Sequence, residues 1–298
     1  MMNRRLMVAA LAAAMLTACS SVSPLFEQKT SPPAPPPPLI VGLALGGGAA
    51  KGFAHVGVIK VLETAGIPVH IVTGTSAGSV VGALYAAGYD GFRLQTLAFG
   101  LDESKVRDLT FGSGGVVKGQ KLEDYVNQLV HKRPIEKLAK PFGAVATDLD
   151  TGKRVLFQRG NTGQAVRASS SVPGVFEPVV IGKRRFVDGG LSSPVPVEAA
   201  REMGANVVIA VDISSKASHS RPDGALSILD QTFTIMGQKL GAQELNRADV
   251  VIRPAIAGIG AADFNQKHQA MLEGERAAKA ALPEIQRKLA AWRGGGGQ

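Results

Sequence analysis

The chain is poor in the residues that several common chemistries need. Among its 298 residues there is one cysteine, so no internal disulfide is possible, and that residue, Cys19, needs another use. Only 19% of residues are Asp, Glu, Lys or Arg, while glycine alone numbers 36 and 45% are hydrophobic. Few charges and many small residues predict one sizeable, tightly packed α/β core. The apolar stretch from Leu6 to Met15 is too short to span a bilayer as a stable helix. Nucleotide-binding loops are absent as well. At Gly46-Gly47-Gly48-Ala49-Ala50-Lys51-Gly52 the lysine precedes a glycine and Phe53 follows it, where a Walker loop needs Gly-Lys-Ser/Thr, and the spacing misses the dinucleotide fingerprint. No aromatic-interleaved basic platform or groove-reading motif is present, which argues against nucleic acid as a partner. Nothing implies a cofactor, and the one pair that resembles a metal site, Asp148 with Asp150, has no His or Glu nearby and reads as a turn.

The chain ends have their own composition. Residues 1–18 carry Arg4-Arg5, the apolar stretch and a small-residue cleavage site before Cys19, which resembles a bacterial lipoprotein signal with Cys19 as the lipidated first mature residue. Ser20, which is not Asp, points to sorting to the outer membrane of the cell envelope. Residues 19–38 contain Ser-Pro-Pro-Ala-Pro-Pro-Pro-Pro, an extended linker that cannot pack a core. The folded domain is expected over 39–292, and 293–298 is a glycine-rich tail. Without its signal the chain keeps 31 basic against 24 acidic residues, an excess suited to an anionic membrane surface.

Within 39–292 two strand-loop-helix units follow one another. Leu39–Leu45 is apolar and of strand length, and runs into the glycine loop and a helical pattern over Phe53–Ala65. Ile71-Val72-Thr73 leads into Gly74-Thr75-Ser76-Ala77-Gly78, and an apolar helix follows. Such repetition predicts a mainly parallel sheet between helices, a three-layer α/β sandwich, with its site at the carboxyl ends of the strands. Gly-x-Ser-x-Gly presents Ser76 on a strained strand-to-helix turn, where a Cβ at Gly74 or Gly78 would collide with neighbouring backbone. Beside such a serine, the free amides of Gly46, Gly47 and Gly48 read as an oxyanion hole rather than a phosphate cradle. Further on, Val179–Ile181 and Arg185–Val187 form a hairpin ending in Asp188-Gly189-Gly190, an acid delivered on backbone expected to need unusual torsions. The loop Val166–Pro178 reads only as packed. Helices are expected near 225–242 and 266–291, with a strand at Val250–Arg253.

The glycine loop, the Ser76 elbow and Asp188-Gly189-Gly190 resemble, in order, the three signature blocks of patatin-like phospholipases, and Ala168–Phe176 resembles that family's loop ahead of the acid. The resemblance covers most of Ile40–Ile213. It implies a Ser-Asp dyad in which Ser76 attacks an acyl ester and Asp188 serves as general base and acid, with the amides of Gly47, Gly48 and Ala49 holding the oxyanion and Lys51, Gly52, Gly74, Gly78, Gly189 and Gly190 in support. It implies no metal or other cofactor, and a substrate among phospholipids or other acyl esters at the membrane to which Cys19 would tether the protein. A short-chain esterase or thioesterase is the nearest alternative, and a non-catalytic binding lipoprotein the next. A Ser-His-Asp triad would need His219 or His268, both in polar segments, and these read as surface residues; His55 and His70 read as structural. Lys51 fits a loop-orienting role better than a lipid-phosphate contact, and Lys183-Arg184-Arg185 a solvated hairpin tip better than a headgroup contact.

Overall fold

In the computed structural model, residues 37–102, 104, 106, 108, 117–215, 224–260 and 263–294 are described. The expected signal, Cys19, the proline-rich linker up to Pro36, and His219 lie outside them.

Five apolar strands make the parallel part of one sheet: β1 (Val41–Leu45), β2 (Ile71–Thr75), β3 (Phe142–Asp148), β7 (Val207–Val211) and β8 (Val250–Ile252). β4 (Arg154–Phe157), β5 (Val179–Ile181) and β6 (Arg184–Asp188) add antiparallel pairings. The path runs β5-β6-β3-β2-β1-β7-β8, with β4 on β3. The central strands are buried throughout, as expected of a parallel sheet covered on both faces. Alternate side chains serve two cores. Val41, Leu43 and Leu45 face one core with Val207, Ile209 and Val211, while Ala44, Val208 and Ala210 face the other.

The larger core is covered by α1 (Phe53–Thr64), α2 (Ala77–Ala86), α3 (Gly91–Gly100), α4 (Gln120–Leu129), α5 (Thr162–Ser169) and the long C-terminal α8 (Lys267–Gly294). Over the smaller core lie α6 (Val197–Glu202) and the end of α7 (Ala225–Leu245). This is the expected three-layer α/β sandwich. α1 and α8 approach through a pair of notches: a Cβ on Gly57 would stand 2.0 Å from Met271 O, and one on Gly274 2.1 Å from Ala54 O.

One register detail positions the site. β2 pairs with β3 as far as Thr75↔Val145, and β6 takes over on the same edge from Ala146↔Asp188, because β4 occupies the opposite edge at both places. The ends of β2 and β6 therefore abut. Ser76 leaves one and Asp188 ends the other.

Candidate active site

Ser76 joins β2 to α2 at φ 52° and ψ −123°, a left-handed conformation that costs a non-glycine residue on the order of 1–3 kcal/mol. Its neighbours leave it little alternative. A Cβ on Gly74 would lie 2.4 Å from Gly78 O, and one on Gly78 would lie 2.1 Å from Leu45 O. The elbow glycines are there for space, as the sequence reading expected.

The elbow is pinned from two sides. The Ser76 carbonyl accepts from the Ser79 amide (2.8 Å) and hydroxyl (2.7 Å), closing the first turn of α2. The Ser76 amide donates to Ser169 Oγ (2.9 Å), and Ser169, fully buried at the end of α5, donates in turn to Val145 O of β3. Two residues on, Ser171 O accepts the Asp188 amide (2.9 Å). A segment whose residues alone read as packing, and which resembles the loop ahead of the acid, therefore ties Ser76 and Asp188 to one frame.

Asp188 is buried, and Oδ1 accepts the Gly190 amide at 2.7 Å. Its Oδ2 is enclosed without an aligned hydrogen-bond partner. Burial pushes the carboxyl pKa up to about 6, against the pull of the Gly190 amide and of the nearby Ser76 hydroxyl, which both favour the ionised form. Thr147 Oγ1 donates to the Asp188 carbonyl at 2.8 Å. One expectation is corrected here. Neither Gly189 nor Gly190 adopts a left-handed φ. Space is the reason instead, since a Cβ on Gly189 would stand 2.2 Å from Val145 O and one on Gly190 3.0 Å from Asp188 Oδ1.

The glycine loop is also revised. The Gly46 amide donates to Val211 O and that of Gly47 to Pro194 O, both at 3.0 Å, so these two are spent on holding the loop. The amides of Gly48 and Ala49 make no such bond among the described residues, and both residues line the cavity that holds Ser76 and Asp188. Behind the loop, fully buried His55 places Nε2 2.8 Å from Gly46 O. Desolvation lowers its pKa to about 4, so the ring is neutral at pH 7 and donates from Nε2. Lys51 is buried too, and Nζ donates to Ser215 Oγ at 2.8 Å, tying the loop to the segment after β7. Gly52 allows the loop to pass α2, where its Cβ would be 2.7 Å from that of Ala77.

Other candidates fall away from the site. His70 accepts the Val41 amide at Nδ1, and His268 stacks on Phe99. Asp148 caps its turn through Thr151 and pairs with Arg184 at 2.7 Å, which holds its carboxyl below the usual range, while Asp150 pairs with Arg185. Those ion pairs engage two of the three cations at the hairpin tip.

Two cavities meet at Ser76. One, of about 190 Å³, contains Asp188, Gly48, Pro194 and residues of α7 such as Phe233 and Met236. The other, of about 180 Å³, runs between α2 and α4 past Val80, Leu122, Phe176 and Phe264, and no charged side chain lines it among the described residues.

Comparison with known proteins agrees with this layout. The chain is 38% identical over 188 residues to an uncharacterised NTE family protein of Mycobacterium bovis, spanning 61% of this chain and 51% of that one. With patatin-like phospholipase domain-containing protein 6 of mouse it shares 35% over 184 residues, 59% of this chain and 14% of that protein. The chain thus covers about half of the mycobacterial relative and a small part of the mouse one. The crystal structure of VipD from Legionella pneumophila superposes with a TM-score of 0.59 at 15% identity, over 85% of this chain and 68% of that one, a likeness of fold. The profile of the family described as patatin-like phospholipase matches residues 43–201, from β1 through the glycine loop, the Ser76 elbow and Asp188 to α6. A chain that carries those blocks in that order, on that sheet, belongs to the patatin-like phospholipase family.

Proposed function

We propose that the protein is a serine acyl hydrolase of phospholipase A or lysophospholipase type, working through Ser76 and Asp188 and held at the cell envelope, at the outer membrane, through a lipidated Cys19. The observation that carries the reading is the enclosed, unpartnered Oδ2 of Asp188 in the cavity it shares with Ser76. A carboxylate with one oxygen fixed by Gly190 and the other free of any aligned partner, with the Ser76 hydroxyl close by, is positioned to accept a proton, and a pKa near 6 leaves most of it ionised at pH 7.

Ser76 Oγ attacks the ester carbonyl carbon as its proton passes to Asp188. The amides of Gly48 and Ala49 receive the developing oxyanion. Collapse breaks the bond to the alcohol, and Asp188 returns the proton to that leaving oxygen, giving an acyl-Ser76 ester and a free alcohol or lysolipid. Water, deprotonated by Asp188, then releases the fatty acid and regenerates Ser76. The leaving group belongs in the cavity with Asp188, and the acyl chain in the uncharged cavity, where each buried methylene contributes about 0.8 kcal/mol.

The test is fluorophosphonate labelling of the full chain beside Ser76→Ala, followed by mass spectrometry of both on phospholipid vesicles. Labelling that needs Ser76, with fatty acid and lysolipid released, is expected. Labelling without lipid turnover favours the short-chain esterase or thioesterase, and a folded protein that never labels favours a binding module.

A further inference from the structure

Helix α7 wears its apolar side outward. Ile228 (53%), Leu229 (36%), Ile235 (45%) and Met236 (50%) are four of the ten exposed large hydrophobics among the described residues, and no other helix holds more than two. Their spacing of i, i+1, i+7 and i+8, with exposed Thr232 between, makes one stripe along the helix. Those five positions carry no charge. Lys239, the next exposed residue of the same stripe, stands one turn beyond Met236. The adjoining side of the helix is occupied otherwise, since Phe233, Thr234 and Met236 wall the cavity that holds Ser76 and Asp188.

From this juxtaposition we infer that the outward stripe of α7 is the surface by which the protein seats on a phospholipid bilayer, with Lys239 at the phosphate level. The inference rests on the acyl-hydrolase reading, because a lipid substrate resides in a bilayer. A stripe that shares Met236 with the cavity wall puts the bilayer about one helix width, roughly 10 Å, from the cavity. Burying four large apolar side chains supplies the attraction, and the excess of basic residues that the chain keeps without its signal adds to it at an anionic surface. A second copy of the chain or a protein partner on the stripe would stand against the same wall of the cavity, in the place from which lipid has to come.

The experiment uses the full chain with Ile235→Trp, against the unsubstituted chain whose one tryptophan is Trp292, on phosphatidylethanolamine–phosphatidylglycerol vesicles with brominated acyl chains. We expect vesicles to shift the emission of the residue placed at 235 to the blue, and the bromines to quench it, beyond any change at Trp292. A second variant, Ile228→Glu with Ile235→Glu, should bind unbrominated vesicles roughly tenfold or more weakly and turn over their lipids correspondingly more slowly, while its rate on a soluble short-chain ester stays unchanged. All of these chains share residues 1–38, so any binding through Cys19 is common to them. Unquenched emission from position 235 in a chain that turns over vesicle lipid overturns the proposal, as does an emission shift that follows protein concentration without vesicles, the sign of a second copy. No ester turnover by any chain would instead sink the hydrolase reading, and quenching would still decide the docking.

Discussion

At the scale of single residues the site opposes stability to readiness for chemistry. Asp188 is buried with one oxygen unpartnered, and its pKa is raised from the ordinary 3.8 to about 6. A carboxyl whose folded pKa is raised binds its proton more tightly folded than unfolded, so above pH 6 it costs stability, and the cost is relieved as pH falls from 6 towards 3.8. Asp188→Asn keeps an oxygen for the Gly190 amide and removes the charge. We expect this variant to lose hydrolysis yet unfold at higher denaturant concentration at pH 8, by up to about 3 kcal/mol, with the gain gone near pH 4. Equal midpoints at pH 8 would show that the buried charge is compensated in some other way. Ser169 predicts the reverse pattern. Ser169→Ala leaves the Ser76 amide without its acceptor and Val145 O without a donor, so stability should fall by about 1–3 kcal/mol. Its kcat should drop roughly tenfold or more through misplacement of Ser76, with KM for a soluble ester little changed. A variant that loses stability while keeping kcat would confine Ser169 to packing.

At the scale of elements, what could be read in the sequence was what local chemistry decides. Gly-x-Ser-x-Gly carries its own turn, and the apolar runs of β1 and β2 were plain as strands of a parallel sheet. The hairpin delivering Asp188 was visible from its two short apolar runs and the glycine between them, although the expected turn Gly182-Lys183-Arg184 is shorter in the fold, because Arg184 already pairs with Ile181. What stayed hidden depends on distant partners. The Gly46 and Gly47 amides are spent on Val211 and Pro194, more than a hundred residues away, so four candidate oxyanion donors become two. α5 and the short α6 lack a long apolar period, and the task of Ser169 exists only because α5 docks at the end of β3. The contact of α1 with α8 is a further case. Gly57 and Gly274 look like breaks in helical patterns, each unfavourable by about 1 kcal/mol relative to alanine in an isolated helix. In the fold each admits the other helix's backbone. Gly57→Ala and Gly274→Ala should therefore destabilise, by about 1–3 kcal/mol each, against the trend of helix propensity. Thermal unfolding of the two variants checks this, and a raised midpoint in either would mean that the helices can part at little cost.

For the whole molecule, the buried His55 and Asp188 and the half-buried Glu244 shape how stability responds to acid, and they pull in opposite directions. His55 holds Gly46 as a neutral ring with its pKa lowered from 6.5 to about 4. The unfolded chain takes up that proton first, so His55 withdraws up to about 3 kcal/mol of stability as pH falls from 6.5 to 4. Asp188 returns a similar amount over the same interval. Glu244 adds to it: its carboxylate accepts the Val195 amide and the Ser193 hydroxyl, and its pKa is raised to about 7, chiefly by burial and also by Glu198, against the pull of those two bonds and of Arg154. All three act on the same frame, since Gly46 opens the glycine loop, Asp188 ends β6 and Val195 lies just beyond it. With one loss set against two gains of similar size, these groups together should leave the wild type about 2–3 kcal/mol more stable at pH 4 than at pH 7, while activity falls below pH 6 with protonation of Asp188. In Asp188→Asn one of the two gains is gone, so the His55 loss and the Glu244 gain should nearly cancel and the rise on acidification should flatten. Chemical unfolding of both proteins at pH 4, 5, 6 and 7 measures the two slopes. Parallel slopes would mean that Asp188 does not titrate in this range, and the acid limb of the activity profile would then have to come from another group.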